Sequence, residues 1–141
     1  MRTPILKLMA LAVLFTACAK PAHKPRIVWI EAGASSEYYF ESQENIFRDC
    51  KRIKEAGFTD VVVDVRPTSG DVLFKSSVAP ELRQIAKWSD HGHKYTPREA
   101  TFDYLETWIK AGHKAGLKIH AGVNMMVGGW WSESTDRKSV V

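Results

Sequence analysis

The chain has 141 residues, with 20 Lys and Arg against 16 Asp and Glu for a formal charge of +4. Setting aside Arg2 and Lys7, which belong to a leader, leaves 18 basic residues against 16 acids, or +2. These are spread beside acids rather than gathered in a run, which excludes a nucleic-acid surface. The absence of a Gly-rich phosphate loop, Gly-x-Ser-x-Gly and Cys-x-x-Cys removes nucleotide, esterase and dithiol readings, and no cofactor is expected.

In chain order, residues 1–17 read as a signal peptide. Arg2 and Lys7 make a basic start, and the apolar run Leu8 to Phe15 is too short to span a bilayer. Leu14-Phe15-Thr16-Ala17-Cys18 resembles the cleavage box of bacterial lipoproteins, which predicts a lipidated Cys18 and a membrane-anchored protein of the cell envelope. The plainer reading is ordinary secretion with an incidental cysteine. Residues 18–25 are polar and carry Pro21 and Pro25, so they should form an extended tether. With Cys18 lipidated, Cys50 has no partner and reads as a core thiol.

Three β-branched runs follow: Ile27 to Ile30, Val61 to Val65 and Lys118 to Val123. Each reads as a buried strand. Between the first two, Ile46, Phe47, Cys50 and Ile53 recur at helical spacing over residues 43–56. Ser42 is the expected N-cap and Gly57 the left-handed stop. A second helix is expected over 102–115, with Leu105, Trp108 and Ile109 on one face, Thr101 capping and Gly116 closing. Ala-Gly-apolar precedes both later strands, a helix-to-strand turn used twice. Strands alternating with helices predict an α/β fold with a parallel sheet. The segment from Pro67 to Ala100 is longer than a structural turn needs, and Pro80 to Trp88 is expected to form a short helix within it.

Strand alternation puts Val28, Ile30, Val61, Val63, Val65, Ile119, Ala121 and Val123 on one face, to be covered by helices. The other face collects Trp29, Glu31, Asp64, Arg66, His120 and Asn124. A polar second face suits the mouth of a barrel better than a doubly wound sheet, both of whose faces are apolar.

The segment Val65-Arg66-Pro67-Thr68-Ser69-Gly70-Asp71-Val72-Leu73-Phe74-Lys75-Ser76 resembles the glycosyl-hydrolase-like family 10 domain of bacterial envelope proteins. The likeness continues through Phe102-Asp103-Tyr104-Leu105, His113 to Leu117, and Ile119-His120-Ala121-Gly122-Val123-Asn124, with Gly122 and Met125 standing where the family usually has tryptophan and proline. The resemblance implies a (β/α)8 TIM barrel acting on glycosidic bonds of polysaccharide or peptidoglycan glycan. Such a barrel needs about 250 residues, and roughly 115 follow Arg26, enough for the first three βα units only. Residues 26–131 are therefore expected to be the N-terminal part of the barrel, and the polar residues 132–141 a truncated tail. The fragment is expected to be inactive alone. A reading from another class is a small carbohydrate-binding or assembly lipoprotein that completes its sheet by oligomerising; the sequence leaves its oligomeric state open.

Glycoside hydrolysis uses two carboxyl groups, about 5 to 9.5 Å apart depending on stereochemistry. Glu31 and Asp64 are the acids on the polar face and the catalytic candidates, although many barrel glycosidases place their pair on later strands. The plainer reading of Asp64 and Arg66 is an ion pair bracing the second strand. Arg66, Asp71, His120 and Asn124 are candidate substrate-binding residues; a loop cap at Asn124, a turn former at Asp71 and a satisfied core histidine at His120 are the competing readings. Trp130 and Trp131 would suit a sugar-stacking platform or loop packing. His91-Gly92-His93 lacks a third ligand at zinc-site spacing, so no metal is expected.

Overall fold

The computed structural model describes residues 24–67, 70–89 and 92–125. Along them run β1 (Ile27–Ile30), α1 (Ser36–Tyr39), α2 (Gln43–Glu55), β2 (Asp60–Arg66), β3 (Gln84–Ser89), β4 (Gly92–Pro97), α3 (Tyr104–Ala115) and β5 (Lys118–Val123). Strands β1, β2 and β5 form one parallel sheet in the order β1-β2-β5, and β3 and β4 pair antiparallel. The fold is mixed α/β, with no closed barrel among the described residues.

The expected strands form, but of the three runs read as buried only β2 is buried along most of its length; β1 is buried only at Ile30 and β5 at none of its six residues, because each of these two has a neighbouring strand on one side only among the described residues. Register aligns the aliphatic positions: Val28 lies beside Val61, Ile30 beside Val63, Val61 beside Ile119 and Val63 beside Ala121. Val61, Val63 and Val65 are fully buried, in one cluster with Ile46 and Cys50 of α2 and Trp108 and Ala111 of α3. Each such valine contributes roughly 1.5–3 kcal/mol of hydrophobic stabilisation. Cys50 is a free thiol within this core, pushed up to about 12 by burial and then by the neighbouring Asp49 charge.

Local signals set the helix ends. The Ser42 hydroxyl accepts from the Asn45 N–H at 3.2 Å, and Gly57 follows α2 with φ 84°. Gly116 closes α3 in the left-handed region at φ 73°.

Three further expectations need correction. The N-cap of α3 is Asp103, not Thr101: Asp103 Oδ1 accepts from the Glu106 N–H at 2.9 Å. The shorter reach of an aspartate directly before the first turn wins, and its other oxygen accepts from the Lys75 N–H at 2.9 Å, tying the loop after β2 to the helix. Second, Pro80 to Trp88 is not a helix. Gln84–Ser89 pairs residue by residue with Gly92–Pro97, and an isolated parallel bridge joins Val72 to Glu81 ahead of it. Third, the β2–β5 register shifts between Asp64 and Arg66, so Arg66 lies beside Val123. Val123 is left 46% exposed and Ala121 is exposed as well, so of the three β5 residues expected on the covered aliphatic face only Ile119 packs against the core.

The helices cover one face of the sheet. On the other, Ile27 and Trp29 are 53% and 61% exposed, so no described element covers that face.

Candidate functional site

The carboxyl ends of β1 and β2 bring Glu31 and Asp64 together. Glu31 immediately follows β1, and its carboxylate folds back on its own loop: Oε1 accepts from the Gly33 N–H at 2.9 Å and Oε2 from the Ala34 N–H. The Glu31 carbonyl also accepts from the Ser35 hydroxyl. The negative charge thus organises the turn that leads into α1.

Asp64 is only 4% exposed although it sits on the polar side of β2. It accepts from the Arg66 N–H at 3.2 Å and from the backbone N–H of Ala32. Burial raises its pKa above the ordinary carboxylate value, and the Glu31 charge raises it further against the lowering effect of the two backbone donors. Two carboxyls in one neighbourhood, one of them favouring its protonated form, are the arrangement that separates an acid from a base.

Arg66 does not pair with Asp64. Its Nε donates to the Gly70 carbonyl at 3.0 Å, and its Nη1 to the carbonyls of Asn124 at 2.8 Å and Met125 at 3.4 Å. The expected ion pair gives way to a clamp because the register shift turns the guanidinium toward loop carbonyls. Asn124 contributes its backbone oxygen to this clamp while its side chain is exposed. Asp71 is buried in the loop after β2, next to Val72, whose N–H donates to the Pro80 carbonyl at 2.9 Å.

His120 lies apart from this group. Its Nε2 is 2.8 Å from Asp60 Oδ1, at the amino end of β2, while Asp60 Oδ2 accepts from the Thr59 hydroxyl. The hydroxyl bond, then that from His120, holds the Asp60 carboxyl below its ordinary value. Cys18, Trp130, Trp131 and His91 lie outside the described residues, as do residues 1–17 and 132–141. Among the described residues no three His, Cys, Asp or Glu side chains gather as a metal site, and no helix is long and apolar enough to cross a membrane.

One residue that sequence reasoning passed over carries structure here. Arg98, just after β4, has a fully buried side chain whose Nη1 donates to the Leu82 carbonyl at 3.0 Å and lies 3.6 Å from Glu81 Oε1. Its guanidinium sits over the Phe40 ring at 5.2 Å, and burial pushes its pKa down while Glu81 opposes the shift. No spacing rule marks an arginine after a strand as buried, so no sequence signal pointed to it. Trp29, by contrast, was legible as a large aromatic on the polar face. A Cβ placed on Gly122 would lie 3.5 Å from its Cζ2 and 3.3 Å from Val62 Cγ1.

The chain is 28% identical over 109 residues to an S-layer-related protein of Niallia circulans, a match covering 75% of this chain and 6% of that relative. The chain therefore spans a small part of the length of the curated relative it matches. No family model matches the chain, and no solved structure matches it.

Proposed function

We propose that the chain supplies the first three βα units of a glycoside-hydrolase-like (β/α)8 barrel in a larger lipid-anchored cell-envelope protein. In this reading it engages polysaccharide or peptidoglycan glycan but does not hydrolyse it unaided. The observation that carries the reading is the buried Asp64, its pKa raised by that burial, beside Glu31 at the carboxyl ends of two adjacent parallel strands. The relative's description as S-layer-related supports the envelope placement, and its much greater length supports further units outside these residues. Helices on one sheet face alone are also what a partial barrel would present.

Roles follow from the geometry. Asp64 would hold or donate a proton to a glycosidic or hydroxyl oxygen. Glu31 shapes the adjoining loop and adds negative potential, and Arg66 fixes the loops that border the site. The test is co-sedimentation of the purified chain with peptidoglycan, alongside a reducing-sugar assay. Binding without sugar release is expected; turnover of any glycan by this chain alone, or no binding, overturns the reading.

Among the described residues β1 and β5 each lack an outer neighbouring strand, which favours a second reading, a carbohydrate-binding or assembly protein that completes its sheet with another copy. Sedimentation velocity separates the two. A discrete oligomer that still binds glycan supports the second.

A further inference from the structure

We infer that the amino-end pole of the parallel sheet is a membrane-facing surface that takes the headgroups of anionic phospholipids and turns the Glu31–Asp64 pair away from the bilayer; this rests on the lipid-anchored reading above. Four exposed bases from separate parts of the chain meet at that pole. Lys24 and Arg26 precede β1, Lys54 lies in the last turn of α2, and Lys118 opens β5. Hydrogen bonds tie these segments together. The Arg26 carbonyl accepts from the Thr59 and Asp60 N–H groups at 2.9 and 3.2 Å, the Lys118 N–H donates to the Thr59 carbonyl at 3.0 Å, and the Lys54 ammonium donates to the Gly116 carbonyl at 2.7 Å. A cleft of about 420 Å³, lined by Pro25, Lys54, Thr59, Asp60, Gly116 and Lys118, opens there. Sequence order hides the cluster, because only the fold gathers it.

The helix dipole alone would favour a base at Lys54. It does not account for Lys24, Arg26 and Lys118, which stand outside the helices. The acids of this end are already engaged: Glu55 pairs with Lys51 at 3.8 Å, and Asp60 accepts from the Thr59 hydroxyl and contacts His120 at 2.8 Å. The opposite pole has the other sign. Glu31 follows β1, Glu37 sits in α1, and Glu44 and Glu106 occupy the first turns of α2 and α3. An anionic surface therefore attracts one end of the sheet and repels the other. The chain enters at the attracted end. At about 3.5 Å per residue, no more than about 28 Å of chain separates Arg26 from Cys18, so a lipid there keeps the basic pole at the bilayer. Along β2, the run from Asp60 to Arg66 then carries the acidic end roughly 20 Å outward, beyond the Debye length of about 8 Å. Turned over, the chain would press its acids on the lipid phosphates.

The experiment floats the full chain and its variants with vesicles of phosphatidylglycerol mixed into phosphatidylcholine, and of phosphatidylcholine alone. The leader is common to every chain, so the variants read the folded body. Each base near an anionic bilayer is worth about fivefold in partitioning, so the triple variant Arg26→Gln, Lys54→Gln, Lys118→Gln should lose about a hundredfold on anionic vesicles and nothing on neutral ones. The charge-keeping set Arg26→Lys, Lys54→Arg, Lys118→Arg should bind like the parent. So should Arg83→Gln, Lys94→Gln, Lys110→Gln, which removes the same charge elsewhere. All six positions are exposed, so circular dichroism should match the parent throughout. Equal losses in both glutamine triples would reduce the effect to net charge and overturn the patch, as would a parent with no preference for anionic vesicles. Binding of inorganic phosphate without that preference marks a soluble-anion site and overturns the membrane assignment. Fatty-acid labelling, compared with Cys18→Ala, reads the anchor separately. No incorporation sinks the anchored reading and the orientation built on it, whereas incorporation into a chain indifferent to lipid charge sinks the patch alone.

Discussion

The Arg66 guanidinium, at the end of β2, donates to the main-chain oxygen of Asn124, at the end of β5, across 2.8 Å. Because the same side chain reaches Gly70 through Nε, one residue fastens two loops to the point where the β2–β5 register shifts. Arg66→Ala should cost about 1.5–3 kcal/mol, the range for charge-assisted hydrogen bonds, in urea unfolding. Lysine should recover little, since a single ammonium cannot serve both directions. Full recovery in Arg66→Lys would show that charge, rather than the forked geometry, is what matters.

Asp60 and Asp64 stand four residues apart on one strand and titrate in opposite directions from the ordinary 3.8. Bonds from Thr59 and His120 stabilise the Asp60 carboxylate. Its contribution to stability is present above the ordinary carboxylate pKa and lost as pH falls through its lowered folded value. Asp64 is the reverse: burial favours its protonated form, so its contribution is greatest in acid and lost as pH rises through its raised folded value. Carbon-detected NMR of the side-chain carboxyls should resolve one midpoint on each side of the ordinary value. Coincident midpoints would remove the basis for assigning Asp64 an acid role.

Asp103 does two jobs, capping α3 through Oδ1 and holding the Lys75 N–H through Oδ2. Asp103→Ala should destabilise by about 1–2 kcal/mol and speed amide exchange at Lys75, while Thr101→Ala should change neither. The exchange measurement separates the loop tie from the cap, because loss of the cap alone leaves Lys75 protected.

The strands, the parallel order and the helix-covered face were legible because β-branched runs and helical periodicity act locally, and both later strands follow an Ala-Gly-apolar stop. Legibility failed where pairing decides. Leu82, Ile85 and Ala86 have helical spacing, yet Gln84–Ser89 is held as strand by Gly92–Pro97, whose polar residues gave no apolar alternation to flag a partner. At the site, the nearness of Glu31 and Asp64 followed from alternation along two parallel strands. The partners of Arg66 did not, since they depend on a register shift that periodicity cannot show. His120 shared the polar face as expected, but its ring turned toward Asp60 because a carboxylate there is the nearest strong acceptor.

The packing of α3 on β5 offers a case in which two physical effects oppose each other. Gly112 lies inside α3, where alanine is favoured by about 1 kcal/mol on helix propensity alone. A Cβ at that position, however, would stand 2.2 Å from Ile119 Cδ1 and 2.4 Å from its Cγ1. Cγ1 is close to the backbone of β5, so rotating the isoleucine tip does not clear the clash, and helix and strand must separate. Overpacking of this kind costs roughly 1–3 kcal/mol, enough to outweigh the propensity gain. Gly112→Ala should therefore lower the urea midpoint, and adding Ile119→Ala should recover part of the loss beyond additivity, as expected for residues in direct contact. A more stable Gly112→Ala chain would mean that α3 sits farther from β5 than these distances state, and that the core beneath Val61 and Val63 is less tightly closed.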